Sequence, residues 1–235
     1  MVKWISNNWI LVVFLAISTV IAWEWLILNK KRLNMNWWQA LLVIFLSNFW
    51  GVSMLKLFAL LEVGFDVSRA ANYRLYGIIF FDTIYIFVQG KIFKQKMSDS
   101  FDIYGVALIL YIILGRLNCL FQRCCVGYLI GSTGIRWPIR EAELLLNAVL
   151  LCIFAYKVYK HKTHGEIYPL YMLIYGAFRF AVEFLREEGH TLFGPFHLAH
   201  LWSLISIVIG GAILILLRRR QPISADGKKT VKIRK

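Results

Sequence analysis

Seven long apolar segments, separated by short runs of lysine and arginine, constrain the fold of this chain more than any other feature. A helix that crosses a lipid bilayer needs about 20 mostly apolar residues. The third segment is the shortest and carries Asp82. Together the segments predict an all-α, polytopic membrane protein with seven transmembrane helices. They cover residues 8–28, 37–61, 76–89, 101–122, 141–159, 168–185 and 198–217.

The composition agrees with a membrane protein and excludes several other classes. Hydrophobic residues make up 59% of the chain and charged residues 17%, whereas a soluble domain is about half apolar and a quarter charged. Four cysteines in 235 residues are too few for a secreted disulfide scaffold. The net charge of +14 can indicate nucleic-acid binding, but the basic residues lie in clusters between apolar runs. Membrane topology explains that pattern better, so no nucleic-acid partner is predicted.

The distribution of basic residues predicts the orientation in the membrane. An external N-terminus and a cytoplasmic C-terminus assign seventeen of the 27 lysines and arginines to cytoplasmic segments and seven to external ones. Because cytoplasmic loops carry an excess of basic residues, this orientation is favoured. Residues 1–220 then form one membrane domain, and residues 221–235 form a basic, disordered cytoplasmic tail. A cleaved signal peptide is the alternative for the first segment, but residues 20–22 make a poor cleavage site.

One face of the sixth segment carries a polar stripe along an otherwise apolar helix. Ionisable residues inside a span cost about 2.5–3.5 kcal/mol each, so they pair with one another or face a cavity. One interpretation is an Arg179–Glu183 ion pair that only fixes helix packing. The other is a lining for an anionic lipid headgroup, because guanidinium binds phosphate through two hydrogen bonds. At about 100° per residue, the stripe contains Tyr168, Tyr171, Tyr175, Arg179, Glu183 and Arg186.

The end of the fourth segment carries two arginines and three cysteines. Arg116 and Arg123 are seven residues apart, so both point the same way if the helix continues. Cys119, Cys124 and Cys125 follow the pattern C-x4-C-C, which lacks the spacing of a zinc site. No metal site is predicted, and these cysteines are either small packing residues or functional thiols.

Four more candidates lie at the start of the fifth and seventh segments. Pro138 suits a helix start, and Glu141 and Glu143 fall in the following turn, where negative charge is favoured. Ordinary capping and a functional role are both open for these carboxylates. His197 and His200 are expected to be interfacial polar caps rather than metal ligands.

These segments, in this order, resemble the prolipoprotein diacylglyceryl transferase family from Arg69 onward. The family signature G-R-x-G-N-F-x-N-x-E-x-x-G agrees at its two ends with residues 115–127. The family segments H-P-x-Q-x-Y-E and G-Q-x-x-S are similar to residues 137–143 and 199–203. The most specific match is to Y-G-x-x-R-F-x-x-E-F-x-R, which this chain carries in full as Tyr175-Gly176, Arg179-Phe180, Glu183-Phe184 and Arg186.

The chain departs from the family pattern at several polar positions. Cys124 stands where the family signature has glutamate. The family's His-Gly-Gly motif, whose histidine is thought to serve catalysis, aligns near Tyr76, and no histidine occurs there. Trp137 and Arg140 replace a histidine and a glutamine. The chain looks like a divergent branch of the family with a Cys-Cys-x-Gly signature.

The resemblance implies an enzyme of the bacterial cytoplasmic membrane that needs no cofactor. Such an enzyme moves a diacylglyceryl group from phosphatidylglycerol to the lipobox cysteine thiol of a preprolipoprotein. Arg116, Arg179 and Tyr175 are then catalytic, since the arginines would meet the leaving phosphate and Tyr175 would hydrogen-bond the headgroup. No general base is identified. The implied substrate-binding residues are Arg140, Glu143, Glu183, Arg186 and Cys124.

Two other functions compete with this enzyme. A catalytically silent or altered-acceptor phospholipid-binding protein of the same family is favoured by the missing histidine, whereas the complete polar stripe favours the enzyme. A transporter is the third candidate, but the sequence shows neither an internal repeat nor paired broken helices.

Overall fold

The computed structural model of the protein describes residues 9–66, 75–122, 124–187 and 191–220. This part of the chain is almost entirely helical, as the hydropathy pattern predicts, with one short antiparallel hairpin formed by β1 (Thr191–Phe193) and β2 (Phe196–His197). The helices are α1 (Trp9–Leu28), α2 (Lys30–Leu33), α3 (Trp37–Glu62), α4 (Leu75–Ile92), α5 (Met97–Phe121), α6 (Ile139–Tyr159), α7 (Ile167–Glu183) and α8 (Leu198–Arg220).

Each of the seven apolar segments forms a helix, and five of these helices are long and apolar enough to cross a membrane. The five are α3, α4, α5, α6 and α8. The apolar part of α1, Val12–Leu28, is shorter, and α7 has 17 residues. At about 1.5 Å per residue, α7 is about 26 Å long, close to the thickness of a bilayer core. The seven-span count and the orientation stay predictions.

Helix α5 lies at the centre of the helix bundle. It contacts α1, α4, α6 and α7, and 56% of its most apolar part is buried. The corresponding share is 22% in α3 and α8, whose outer faces expose large apolar side chains such as Phe49 and Val208. Exposed apolar surface of this extent suits contact with lipid tails. The central position of α5 puts Arg116, near its end, inside the protein.

Helices α7 and α8 pack closely because glycine lies where they cross. A Cβ atom on Gly210 would lie 2.6 Å from the Pro169 carbonyl oxygen, and one on Gly176 would lie 3.0 Å from the Ser203 carbonyl oxygen. Only a residue without a side chain allows the two backbones this approach. The contact brings Ser203 of α8 beside Gly176 of α7.

Buried polar groups anchor the start of α7 and the neighbouring helix ends. Both Asp102 carboxylate oxygens accept backbone N–H bonds, at 2.7 Å from Gly165 and 3.0 Å from Ile167. Nearby, Arg32 donates through Nε to Asp99 at 2.9 Å and through Nη1 to the Val158 carbonyl at 3.1 Å. These bonds connect α2, α5, α6 and α7 at one end of the bundle, and thereby fix the axial position of α7.

Candidate active site

Two arginines from different helices share one buried carboxylate. Arg116 of α5 places Nε 2.9 Å from Glu143 Oε2, and Arg179 of α7 places Nη1 2.8 Å from Glu143 Oε1. The exposed fractions of Arg116, Glu143 and Arg179 are 7%, 1% and 5%. Charges buried to this degree are costly unless they are paired. Glu143 therefore holds two guanidinium groups together inside the bundle.

A second carboxylate extends this cluster toward the end of α7. Glu183 Oε2 lies 2.6 Å from Arg179 Nη2 and 3.7 Å from Arg186 Nη1, and Glu183 Oε1 lies 3.3 Å from His197 Nδ1. We call Arg116, Glu143, Arg179, Glu183 and Arg186 the arginine–glutamate cluster. Its three guanidinium groups and two carboxylates leave one positive charge uncompensated, which suits an anionic ligand.

Tyrosine hydroxyls and an asparagine add hydrogen bonds to the cluster. The Tyr175 hydroxyl accepts a bond of 3.1 Å from Arg116 Nη2 and donates to Glu143 Oε1 at 3.4 Å. Asn147, one turn after Glu143, donates to the Glu143 carbonyl at 2.7 Å and accepts from the Tyr171 hydroxyl at 2.8 Å. The polar stripe of α7 thus faces α5 and α6, where it meets buried partners.

Tyr76 of α4, near which the family's histidine motif aligns, lies beside Tyr175. The Tyr76 hydroxyl is 2.6 Å from Ser203 Oγ of α8, and the Tyr76 ring centroid is 6.4 Å from that of Tyr175. Sequence reasoning did not give Tyr76 or Asn147 a role. The local signals that connect these residues to the site are the i to i+4 spacing of Asn147 to Glu143 and the alignment of the family's histidine motif near Tyr76.

The loop between α5 and α6 folds back onto the end of α7. The Tyr128 N–H donates to the Leu185 carbonyl at 2.9 Å, and Gly127 pairs with Arg186 in an isolated β-bridge. A Cβ atom on Gly127 would lie 2.5 Å from the Trp137 carbonyl oxygen, so only glycine fits. This contact places the cysteines of the loop beside Arg186.

Three cysteine sulfurs meet at this point. The Sγ atoms of Cys119, Cys124 and Cys125 all lie within 4.8 Å of one another, and we call them the three-thiol cluster. Arg186 Nη2 donates to Cys125 Sγ at 3.1 Å. Hydrogen bonds from the other two thiols lower the pKa of the Cys125 thiol, burial opposes this shift, and the Arg186 charge adds to it. The hydrogen bonds to Cys119 and Cys125 raise the pKa of the Cys124 thiol.

The structure decides two points that the sequence left open, one at Glu143 and one at the end of α5. Glu143 is not a helix cap, because its carboxylate is buried between two arginines. Helix α5 ends at Phe121, so it does not continue to Arg123, which lies outside the described residues together with Arg69 and Arg74.

His197, His200 and Arg140 each have defined polar partners within the protein. His200 Nδ1 accepts the His197 N–H at 2.9 Å, which is a capping contact, but both histidines are buried and His197 reaches Glu183. Arg140 donates to the Cys124 carbonyl at 3.5 Å and to Glu141 at 3.4 Å. Arg140 therefore lies with the loop that carries the cysteines.

The long apolar helices and the buried, charged centre are those of an integral membrane protein with a polar internal site. A family model described as prolipoprotein diacylglyceryl transferase matches residues 13–216. The chain therefore belongs to this family of transferases.

Curated relatives carry the corresponding names. A phosphatidylglycerol–prolipoprotein diacylglyceryl transferase of Finegoldia magna is 29% identical over 171 residues, which cover 68% of this chain and 67% of the relative. One from Dehalococcoides mccartyi is 25% identical over 165 residues, covering 63% of this chain and 62% of the relative. A phosphatidylglycerol–prolipoprotein diacylglyceryl transferase 2 of Clostridium perfringens is 28% identical over 150 residues, covering 58% of each. The matches span two thirds of these relatives' length or less.

Proposed function

We propose that this chain is a phosphatidylglycerol–prolipoprotein diacylglyceryl transferase of the bacterial cytoplasmic membrane. The observation that carries the proposal is the convergence of Arg116 and Arg179 on one buried carboxylate beside Tyr175. The names of the relatives support phosphatidylglycerol and a prolipoprotein as the two substrates. Residues 1–220 then form one seven-span domain with an external N-terminus, and residues 221–235 form its basic cytoplasmic tail.

The chemistry of this transfer needs positive charge where a phosphate leaves. The C–O bond between the diacylglyceryl group and the phosphate breaks, a thioether forms, and negative charge develops on the departing phosphate ester. The uncompensated positive charge of the arginine–glutamate cluster would stabilise this negative charge. Arg186 Nε is buried and makes no hydrogen bond within the described part of the chain, so it has a free donor for a phosphate oxygen.

The contacts also divide the residues into three proposed groups. Arg116, Arg179 and the Tyr175 hydroxyl bind the phosphate. Glu143 and Glu183 keep the guanidinium groups in place, since each carboxylate already accepts bonds from arginine. Residues around the outer loop, Arg140, Cys124 and Arg186, line the entrance to the site on this proposal.

The test is complementation of a bacterium depleted of its own transferase, with lipoprotein mass and gel mobility as the readout. The wild-type chain is expected to restore the diacylglyceryl mass increment. Arg179→Lys keeps the charge but loses the two-pronged contact, so it is expected to abolish transfer. Arg218→Lys, the same change at the exposed end of α8, is the matched control and is expected to be fully active. Equal activity of the two variants would contradict the proposed role of Arg179.

A phospholipid-binding protein without turnover is the second candidate. It is favoured by Tyr76, which lies beside Tyr175 and near which the family's histidine motif aligns. Vesicles that contain phosphatidylglycerol distinguish the two functions. Saturable binding that Arg179→Lys weakens, together with no mass increment on any lipoprotein, would favour this candidate over the enzyme.

A further inference from the structure

The three-thiol cluster is built by two different backbone features. Cys119 lies in the last turn of α5, and Cys124 and Cys125 follow its end. Cys125 has φ of +60°, a left-handed conformation that residues with a side chain rarely adopt. The left-handed residue lies in the turn after α5 that brings Cys125 Sγ within 4.8 Å of the other two sulfurs. The spacing C-x4-C-C differs from that of common zinc motifs.

The distances and charges of the cluster fit a soft divalent metal ion. Zinc–sulfur bonds of about 2.3 Å in a tetrahedral site put the sulfurs about 3.8 Å apart, so the sulfurs need to move by only about 1 Å. Three thiolates and one divalent ion carry one net negative charge. The Arg186 guanidinium, 3.1 Å from Cys125 Sγ, places a positive charge beside the site.

We propose that Cys119, Cys124 and Cys125 form a three-thiolate site for a zinc-class metal ion. Three protein ligands leave the fourth position of a tetrahedral ion open, as in catalytic zinc sites. The site adjoins the arginine–glutamate cluster through Arg186, which contacts both Cys125 and Glu183.

Resting on the proposed function, we infer that the open fourth position of the metal would bind the thiol of the acceptor. The acceptor of the transfer is a thiol, and a thiol that binds zinc loses its proton outright. At the open position the acceptor thiol would give its S–H proton to water, and its sulfur would form the bond to the glyceryl carbon as the C–O bond to phosphate breaks and the phosphate ester leaves. Cys119, Cys124 and Cys125 would thus hold an ion that lowers the pKa of the acceptor thiol, a role for which no general base was identified among the residues.

The metal site is tested on the full-length protein in detergent, independently of transfer. Purified protein is stripped with a chelator, titrated with Co²⁺ and followed by thiolate-to-cobalt charge-transfer absorption, and zinc content is measured by elemental analysis. The wild type is expected to bind about one ion per chain. Cys125→Ser is expected to lower metal affinity by more than about tenfold, since the loss of an outer-shell partner alone costs about 10–100-fold. Cys152→Ser, at an exposed thiol of α6, is the matched control and is expected to bind as the wild type does.

Two results would overturn the metal site. One is the absence of thiolate–cobalt absorption from the wild type, which requires no variant to fold. The other is a disulfide among the three cysteines in protein whose thiols were blocked in the living cell.

The role of the metal in transfer is tested separately from the existence of the metal site. Chelation that removes the ion without slowing transfer would exclude the activating role and leave the site itself supported. Metal binding by a chain that transfers nothing would refute the proposed function and support the site.

Discussion

Replacing Glu143 with glutamine removes the one negative charge that Arg116 and Arg179 share. The side chain is 1% exposed, so water does not replace the lost carboxylate, and two guanidinium groups are left facing each other. Breaking a buried pair by removal of one partner costs about 3–5 kcal/mol. For a soluble domain of this size, about 1 kcal/mol corresponds to about 2–4 °C, so the melting temperature in detergent is expected to fall by about 6–20 °C.

The matched control is Glu141→Gln, two residues earlier on the same helix. The Glu141 side chain is 48% exposed, and its contact to Arg140 is 3.4 Å long. An exposed pair of this kind contributes about 0–1 kcal/mol, so the control is expected to unfold with the wild type. Thermal unfolding and the lipoprotein mass increment are measured on both variants, and Glu143→Gln is expected to lose transfer. A Glu143→Gln protein with the melting temperature and activity of the control would refute the argument that this carboxylate holds the two arginines.

Three other predictions concern topology, the α4–α8 hydrogen bond and helix packing. At the C-terminus, a reporter that works only in the cytoplasm is expected to be active. At residues 128–136, a reporter that works only outside the membrane is expected to be active, and the same side for both positions would refute the topology. Tyr76→Phe removes one buried hydrogen bond and is expected to cost about 0.5–1.5 kcal/mol, read as a lower melting temperature; an unchanged value would contradict this. Gly210→Ala is expected to destabilise by about 1–3 kcal/mol, because its Cβ would meet a backbone oxygen at 2.6 Å. Gly211→Ala, whose Cβ would have its nearest neighbour at 3.8 Å, is the control and should behave as the wild type does; equal melting temperatures for the two would contradict the packing argument.

The sequence by itself determined the helices, the polar face of α7 and the family. Hydropathy and helical periodicity are local properties. The seven apolar segments, and the polar residues that recur every third or fourth position, can therefore be recognised without tertiary contacts. The third segment was predicted to end at Gln89, because Gly90 and Lys91 interrupt the apolar run, whereas α4 continues to Ile92. The motif around Tyr175 and Arg179 identified the family because it is complete.

Only the tertiary structure decided which charges neutralise one another and which thiols meet. Glu143 lies 27 residues from Arg116 and 36 from Arg179, and the pairing depends on which faces of α5, α6 and α7 pack together. The same holds for Tyr76 and Ser203, 127 residues apart. Spacing rules recognise ligands that a helix or a turn brings together within one segment. Cys119 and Cys125 meet only because the end of α5 and a left-handed residue redirect the chain. The hydropathy pattern predicts neither of these two features.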